Sequence, residues 1–306
     1  MLRSPAASVF VSFLICAAIG PAVAQSDAVV IGASSTTTME RMLDDLSRAD
    51  VVFVGEEHDH TRGHILELEI LKGVRARNPK TMLSLEMFER DVQPVVDEYI
   101  GGYITETHFL QSSRPWPNYK SDYRPLVEFC KENTLPVIAA NAPRRYVNIV
   151  SRKGQAGLAG LPKPSRAYLG RYPYSMDLPA GYDKMLTDLF GGAHGQTGAT
   201  TGSPPPTGMS SPENMKESQA LWDVTMADSI ARAIHEHRGW KVMQVNGSGH
   251  SDHHFGIVDR LKQMNPRLKV LVVTIRPDAE YPNVQVPKYA GQADFVIVTP
   301  ADAKKP

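Results

Sequence analysis

The residues Glu56, Glu57, His58, Asp59, His60 and His64 put three acids and three histidines within nine positions. Imidazoles and carboxylates at that density are the side chains that move protons near neutral pH or hold a metal ion. A solvated polar loop has the same composition, so placement decides between the two. The run Val51-Val52-Phe53-Val54 precedes them. Four apolar, mostly β-branched residues in a row read as a buried strand of a parallel sheet, and Gly55 ends it. Downstream, Ile65, Leu66, Leu68, Ile70, Leu71 and Val74 recur at helical spacing and predict a helix over 63–77. Glu56 to His60 therefore fall on a loop just past a strand end, where open α/β sheets bind ligands, and His64 falls in the first helical turn.

Other strand ends are polar too. A strand over 81–86 ends on Glu86. One over 136–141 ends on Asn141 and runs into Ala142-Pro143-Arg144-Arg145-Tyr146. One over 241–245 ends in Asn246-Gly247-Ser248-Gly249-His250, with His253 and His254 close behind. Parallel strands share one C-terminal edge, so Glu56, His58, Glu86, the 141–146 segment and His250 are expected to converge on one pocket. Gly247 and Gly249 there suit a close backbone approach or an anion-binding nest.

The elements that must position these groups alternate. Strands are expected over 51–54, 81–86, 136–141, 241–245, 270–275 and 295–298, and helices over 63–77, 91–99, 125–133, 217–237 and 257–263. Thr37-Thr38-Met39-Glu40 reads as a capping box before a further helix. Strand–helix alternation predicts an α/β fold: a mostly parallel sheet with helices on both faces. From about 154 to 214 the pattern changes to tyrosines among Gly and Pro, read as an irregular or helical insertion or lid. Its low-complexity part, about 191–212, is expected to be flexible. His194, Met209 and Met215 in this region read as ordinary loop residues.

Lys plus Arg and Asp plus Glu number 33 each, which argues against a nucleic-acid binder. Arg3, an apolar stretch over 9–19 and Ala22-Val23-Ala24 form the pattern of a signal peptide over 1–24. The chain is then expected to be exported, to the periplasm, with a single domain over 25–306 and no membrane span once the leader is removed. Ile15 is too bulky to precede a lipidated Cys16. Cys130 is left as the one cysteine of the mature chain and reads as a small core residue.

Five blocks in order resemble the ChaN-like haem-binding uptake family, which belongs with the Tiki/TraB and erythromycin-esterase-like proteins. They are Val51-Val52-Phe53-Val54-Gly55-Glu56 with His58, Leu85-Glu86-Met87-Phe88-Glu89-Arg90-Asp91, Ala140 to Tyr146, Gln219 with Asp223, Met226 and Ala227, and Gly247-Ser248-Gly249-His250. The resemblance spans about 38–275. It implies an α/β fold, export, haem binding at a homodimer interface, and a part in iron uptake beside a haem receptor or transporter. It also implies a tyrosine ligand to the haem iron, carried here to Tyr146. Arg144 and Arg145 beside it would favour the phenolate or bind propionates. His58, His64 and His250 are the further cofactor-contact candidates. Read without the resemblance, Tyr146 is a helix-start aromatic packing on the sheet. The segment 251–258, with its extra histidines, departs from the family pattern. A second reading is a metal-dependent hydrolase in which Glu56, His58, Glu86 and His250 hold a divalent metal or activate water. A non-catalytic scaffold is a third, and the polar strand ends argue against it.

Overall fold

The computed structural model describes residues 28–191 and 211–301. The signal-peptide reading, most of the low-complexity stretch, His194 and Met209 lie outside the described residues. Eight strands form one sheet: β1 (Val29–Ile31), β2 (Thr36–Thr37), β3 (Val51–Glu56), β4 (Thr81–Glu89), β5 (Val137–Asn141), β6 (Lys241–Gly247), β7 (Val270–Asp278) and β8 (Phe295–Pro300). Their order is β2-β1-β8-β7-β3-β6-β4-β5. Every pairing from β8 to β5 is parallel, and the β1–β2 hairpin lies antiparallel along β8. The sequence pattern misses the hairpin. Strands of three and two residues carry too little alternation to register. β3 runs through Gly55 to Glu56 and β4 past Glu86 to Glu89, beyond the expected ends.

β3 occupies the centre because both its faces are apolar. Val52 and Val54 join a core shared with Leu66, Ile70 and Leu71 of the Thr61–Arg77 helix. Val51 and Phe53 join a second core on the other face, with Met226, Ala227 and Ile230 of the Pro212–Glu236 helix and Ile257 and Leu261 of the Ile257–Met264 helix. Two cores divided by period-two alternation are what a sheet covered on both faces requires.

Several boundaries differ from the expected ones. The first helix, Met39–Leu46, is capped by Thr38, whose hydroxyl accepts from Arg41 N, so the cap sits one residue beyond the position the capping-box pattern marks. The next helix starts at Thr61, and the long one starts at Pro212, capped by the Ser211 side chain. The expected 91–99 helix is a short turn at Arg90–Val92 followed by Gln93–Ile100. The 125–133 helix runs Arg124–Glu132, and Glu106–Ser113 is an additional helix. Between β5 and the long helix lie Arg144–Lys153 and Ala180–Gly191. Leu158, Leu169 and Tyr174 of that region pack with Tyr146, Val150, Leu221 and Val224. The insertion thus shares a satellite core with the main domain. Cys130 is buried in the first core, as expected. Among the described residues no helix is long and apolar enough to cross a membrane.

Candidate functional site

β3, β6 and β4 are neighbours and run the same way, so their C-terminal ends stand side by side. Glu56 closes β3 and is 1% exposed. Its Oε1 accepts a hydrogen bond from His58 Nδ1 at 2.5 Å and another from the Tyr123 hydroxyl at 3.2 Å. Glu86, on β4, accepts from the backbone N–H of Gly247 at 2.8 Å and lies 3.6 Å from His250 Nε2. A Cβ placed on Gly247 would stand 2.9 Å from His58 Nε2 and 3.7 Å from Glu86 Oε2. Glu56, His58, Glu86 and His250 therefore gather around Gly247, although up to 194 positions separate them in the chain.

Each histidine is held by an acid. His250 Nδ1 donates to Asp223 Oδ1 at 2.6 Å, and the other oxygen of Asp223 accepts from the Tyr182 hydroxyl at 2.6 Å. Burial opposes protonation of His250, but the charges of Glu86 and Asp223 outweigh it and raise its pKa. Burial likewise opposes protonation of His58. The hydrogen bond and charge of Glu56, helped by Glu86, outweigh it and lift the ring to about 9. The edge of the cluster is aromatic: Trp116 meets His58 edge-on at 4.9 Å, and Trp222 meets His250 at 6.2 Å. A cluster in which each imidazole faces buried carboxylates can give and take protons.

His64 lies one layer deeper. Its Nδ1 is 3.1 Å from Glu67 Oε1, and its Nε2 donates to the His58 carbonyl at 3.3 Å. Glu67, one helical turn on, is fully buried, and burial pushes its carboxyl up to about 7 against the pull of His64.

Tyr146 stands apart from this cluster, in the first turn of the Arg144–Lys153 helix that follows β5. Its ring is 5% exposed within the satellite core, so the packing role is real. The hydroxyl is not left apolar: Arg145 Nη2 donates to it at 3.1 Å, and the same guanidinium lies 4.4 Å from the ring centre. Arg145 also pairs with Asp91 and reaches toward the half-exposed Tyr168. Arg144 lies over Trp116 at 5.5 Å and 3.9 Å from Glu89. Trp116 thus links the arginine pair to His58.

His253 and His254 do not enter the pocket. Both have left-handed backbone, with φ of 57° and 60°. His253 Nδ1 donates to the Gly291 carbonyl and His254 pairs with Asp294 at 2.9 Å, so they fasten the loop before β8. His60 bonds Thr299 at the end of β8. Glu57 pairs with Arg276 of β7. Glu67, Tyr123 and Tyr182 were not singled out from the sequence. Glu67 had a usable signal, three positions after His64 and so on the same helix face. Tyr123 and Tyr182 had none, because only the tertiary fold brings them to Glu56 and Asp223.

Comparison with known proteins bears on the family and the fold. The family model described as haem-binding uptake, Tiki superfamily, ChaN matches residues 42–261. The solved structure described as cofacial heme binding to ChaN of Campylobacter jejuni has a TM-score of 0.63 at 18% identity, covering 90% of this chain and 98% of that one. At that identity it speaks for the fold. Protein RETICULATA-RELATED 5, chloroplastic, of Arabidopsis thaliana is 24% identical over 255 residues. That match takes in 79% of this chain and 33% of the plant protein, so the chain spans about a third of that relative. The matched interval runs from the helix before β3 through Tyr146 to the helix after His250. With all the clustered strand ends inside it, the chain belongs to the ChaN haem-binding uptake family of the Tiki superfamily.

Proposed function

We infer that the protein is an exported haem-binding protein of haem and iron uptake that takes ferric haem through Tyr146. The observation that carries this reading is the Arg145 guanidinium, placed both against the Tyr146 hydroxyl and over its ring. Haem iron accepts a tyrosine oxygen as ligand, and the guanidinium orients that oxygen and ring. The donor chemistry at Tyr146 thus fits the group. Haem, when bound, would supply a ferric centre, for which a phenolate is a hard anionic donor. The chain's own residues would do the rest. Arg144 and Arg145, with side chains 38% and 47% exposed, would receive carboxylate groups of the ligand in exchange for Glu89 and Asp91. His64 is buried with both ring nitrogens engaged, whereas His58 and His250 each turn Nδ1 to a carboxylate and would meet a ligand through Nε2. Removal of residues 1–24, a periplasmic location, a homodimer that shares the ligand and delivery to a haem receptor or transporter complete the proposal. The N-terminus of the protein recovered from cells, read by mass spectrometry, tests the first of these.

The test of the ligand is a hemin titration followed by absorption. The wild type should develop the charge-transfer band of high-spin ferric tyrosinate, and Tyr146→Phe should lose it and bind more weakly. His58→Ala should keep the band. Loss of the band in His58→Ala, with no change in Tyr146→Phe, would move the ligand to the histidine and defeat the reading.

A second reading rests on a separate observation, the convergence of Glu56, His58, Glu86 and His250 around Gly247. That cluster has the make-up of a hydrolytic site, with or without a divalent metal. Ester hydrolysis by the purified chain, abolished in His250→Ala, would support it.

A further inference from the structure

Behind the strand-end cluster, Glu56, His64 and Glu67 each turn one ligand-capable atom toward the others, and these atoms lie within 4.8 Å of one another. All three residues are buried, at 1%, 5% and 0% exposure. Glu56 Oε2 and Glu67 Oε2 have no hydrogen-bonding partner among the described residues. Two buried carboxylates, each with a free oxygen, repel one another in a medium that solvates neither. His64 sharpens the imbalance. Its Nε2–H is spent on the His58 carbonyl, so in a neutral ring the Nδ1 lone pair would face Glu67 Oε1 at 3.1 Å, acceptor against acceptor. Something positive must stand between them, a proton or a metal ion.

The geometry points to a divalent transition-metal ion, Mn²⁺ or Zn²⁺, held by Glu56, His64 and Glu67. The donor set is one imidazole and two carboxylates, which suits these ions better than Ca²⁺ or Mg²⁺. Two ligand atoms 3.1 Å apart match neighbouring positions around an ion with bonds of about 2.1 Å. Binding replaces the Nδ1 proton of His64, which leaves to solvent, and draws on two carboxylates that each keep an unpartnered oxygen. The His58 carbonyl that receives Nε2–H fixes the ring, as a second-layer acceptor does for most metal-bound histidines. Glu56 would connect the ion to the pocket, because its other oxygen carries His58. This donor set shares only Glu56 with the four strand-end residues and does not depend on the haem reading.

The full chain, stripped with chelator and freed of haem, is titrated with Mn²⁺ and with Zn²⁺ by calorimetry, and the ion content of the protein as purified is measured. One ion per chain and a raised melting temperature are expected. Glu67→Gln, which keeps shape but loses the charge, should weaken binding at least tenfold, whereas His250→Asn should leave it within about twofold. Absence of binding in the folded wild type would overturn the proposal. So would the reverse pattern, with the ion lost in His250→Asn and kept in Glu67→Gln, which would place it at the strand ends. Should Glu67→Gln fail to fold, Co²⁺ loaded into the wild type decides. Paramagnetic shifts at the His64 ring support the site, and shifts confined to His250 overturn it. Hemin binding is read separately by absorption, so failure of the metal site leaves the haem result standing.

Discussion

Asp223 Oδ1 lies 2.6 Å from His250 Nδ1, and this contact joins the long helix over one sheet face to the end of β6. It is doubly buried, with Asp223 1% and His250 8% exposed. Tyr182 completes a chain of three from the region after β5. Asp223→Asn removes the charge facing His250 Nδ1 and leaves the ring beside Glu86 and Gln219. Breaking a buried charged pair costs about 3–5 kcal/mol. Urea denaturation should show a loss in that range. Tyr182→Phe, which removes one hydrogen bond, should lose about 1–2 kcal/mol.

Arg90 ties together three segments that are distant in sequence. Its guanidinium donates to Ser229 Oγ, to the Leu169 and Thr225 carbonyls and to Asp228. With the side chain only 10% exposed, Arg90→Ala takes this donor from the Leu169 carbonyl and from Ser229, and leaves Asp228 with Arg232 alone. A loss of about 3 kcal/mol is expected by chemical denaturation. Arg232→Ala removes only the more exposed partner of Asp228 and should cost less than about 1 kcal/mol. Equal losses in the two variants would show that Arg90 is not the tie.

The strand ends were legible because a parallel sheet has one carboxyl edge, so Glu56, Glu86 and His250 needed only the strand reading to be placed together. The unbroken apolar run Val51 to Val54 carried that reading, and its residues alternate between the two cores. The partners that set the protonation of those groups were not legible. Asp223 lay in a recognisable block without its role being apparent. Tyr182 lay in a region whose Gly and Pro content reads as irregular, yet which supplies buried side chains to the satellite core. Hydrophobic periodicity reports which face is buried. It does not report which polar group meets which across an interface.

At the far end of β7, Asp278 accepts from Lys288 Nζ at 2.9 Å, from the Tyr289 hydroxyl and from Glu280 N at 2.8 Å. These bonds hold its carboxyl down at about 2, below the usual 3.8. A carboxyl lowered on folding contributes stability that is complete above about pH 4 and is lost as the pH falls through 2. Urea midpoints between pH 5 and pH 2 should therefore fall more steeply in the wild type than in Asp278→Asn. Parallel curves for the two proteins would remove Asp278 as the source.

The last prediction separates two glycines that the sequence shows as equivalent. Neither has positive φ, so space alone decides. A Cβ on Gly247 would meet His58 Cε1 at 2.8 Å and Nε2 at 2.9 Å, closer than side chains pack. A Cβ on Gly249 would meet nothing within 4 Å. Gly247 is thus the close approach that lets β6 end against the His58 ring, and Gly249 lines no contact. Gly247→Ala must push the ring away from Glu56, breaking a 2.5 Å bond between the part-buried His58 and the buried Glu56. Overpacking of this kind costs about 1–3 kcal/mol. The His58 ring resonance should move as well, since the imidazole loses its carboxylate. Gly249→Ala should be neutral or gain up to about 1 kcal/mol, through the smaller entropy of the unfolded chain. Denaturation curves together with histidine NMR check both variants. A silent Gly247→Ala, in stability and in the His58 signal, would mean that the ring has room to spare and that the site is looser than the glycine contact indicates.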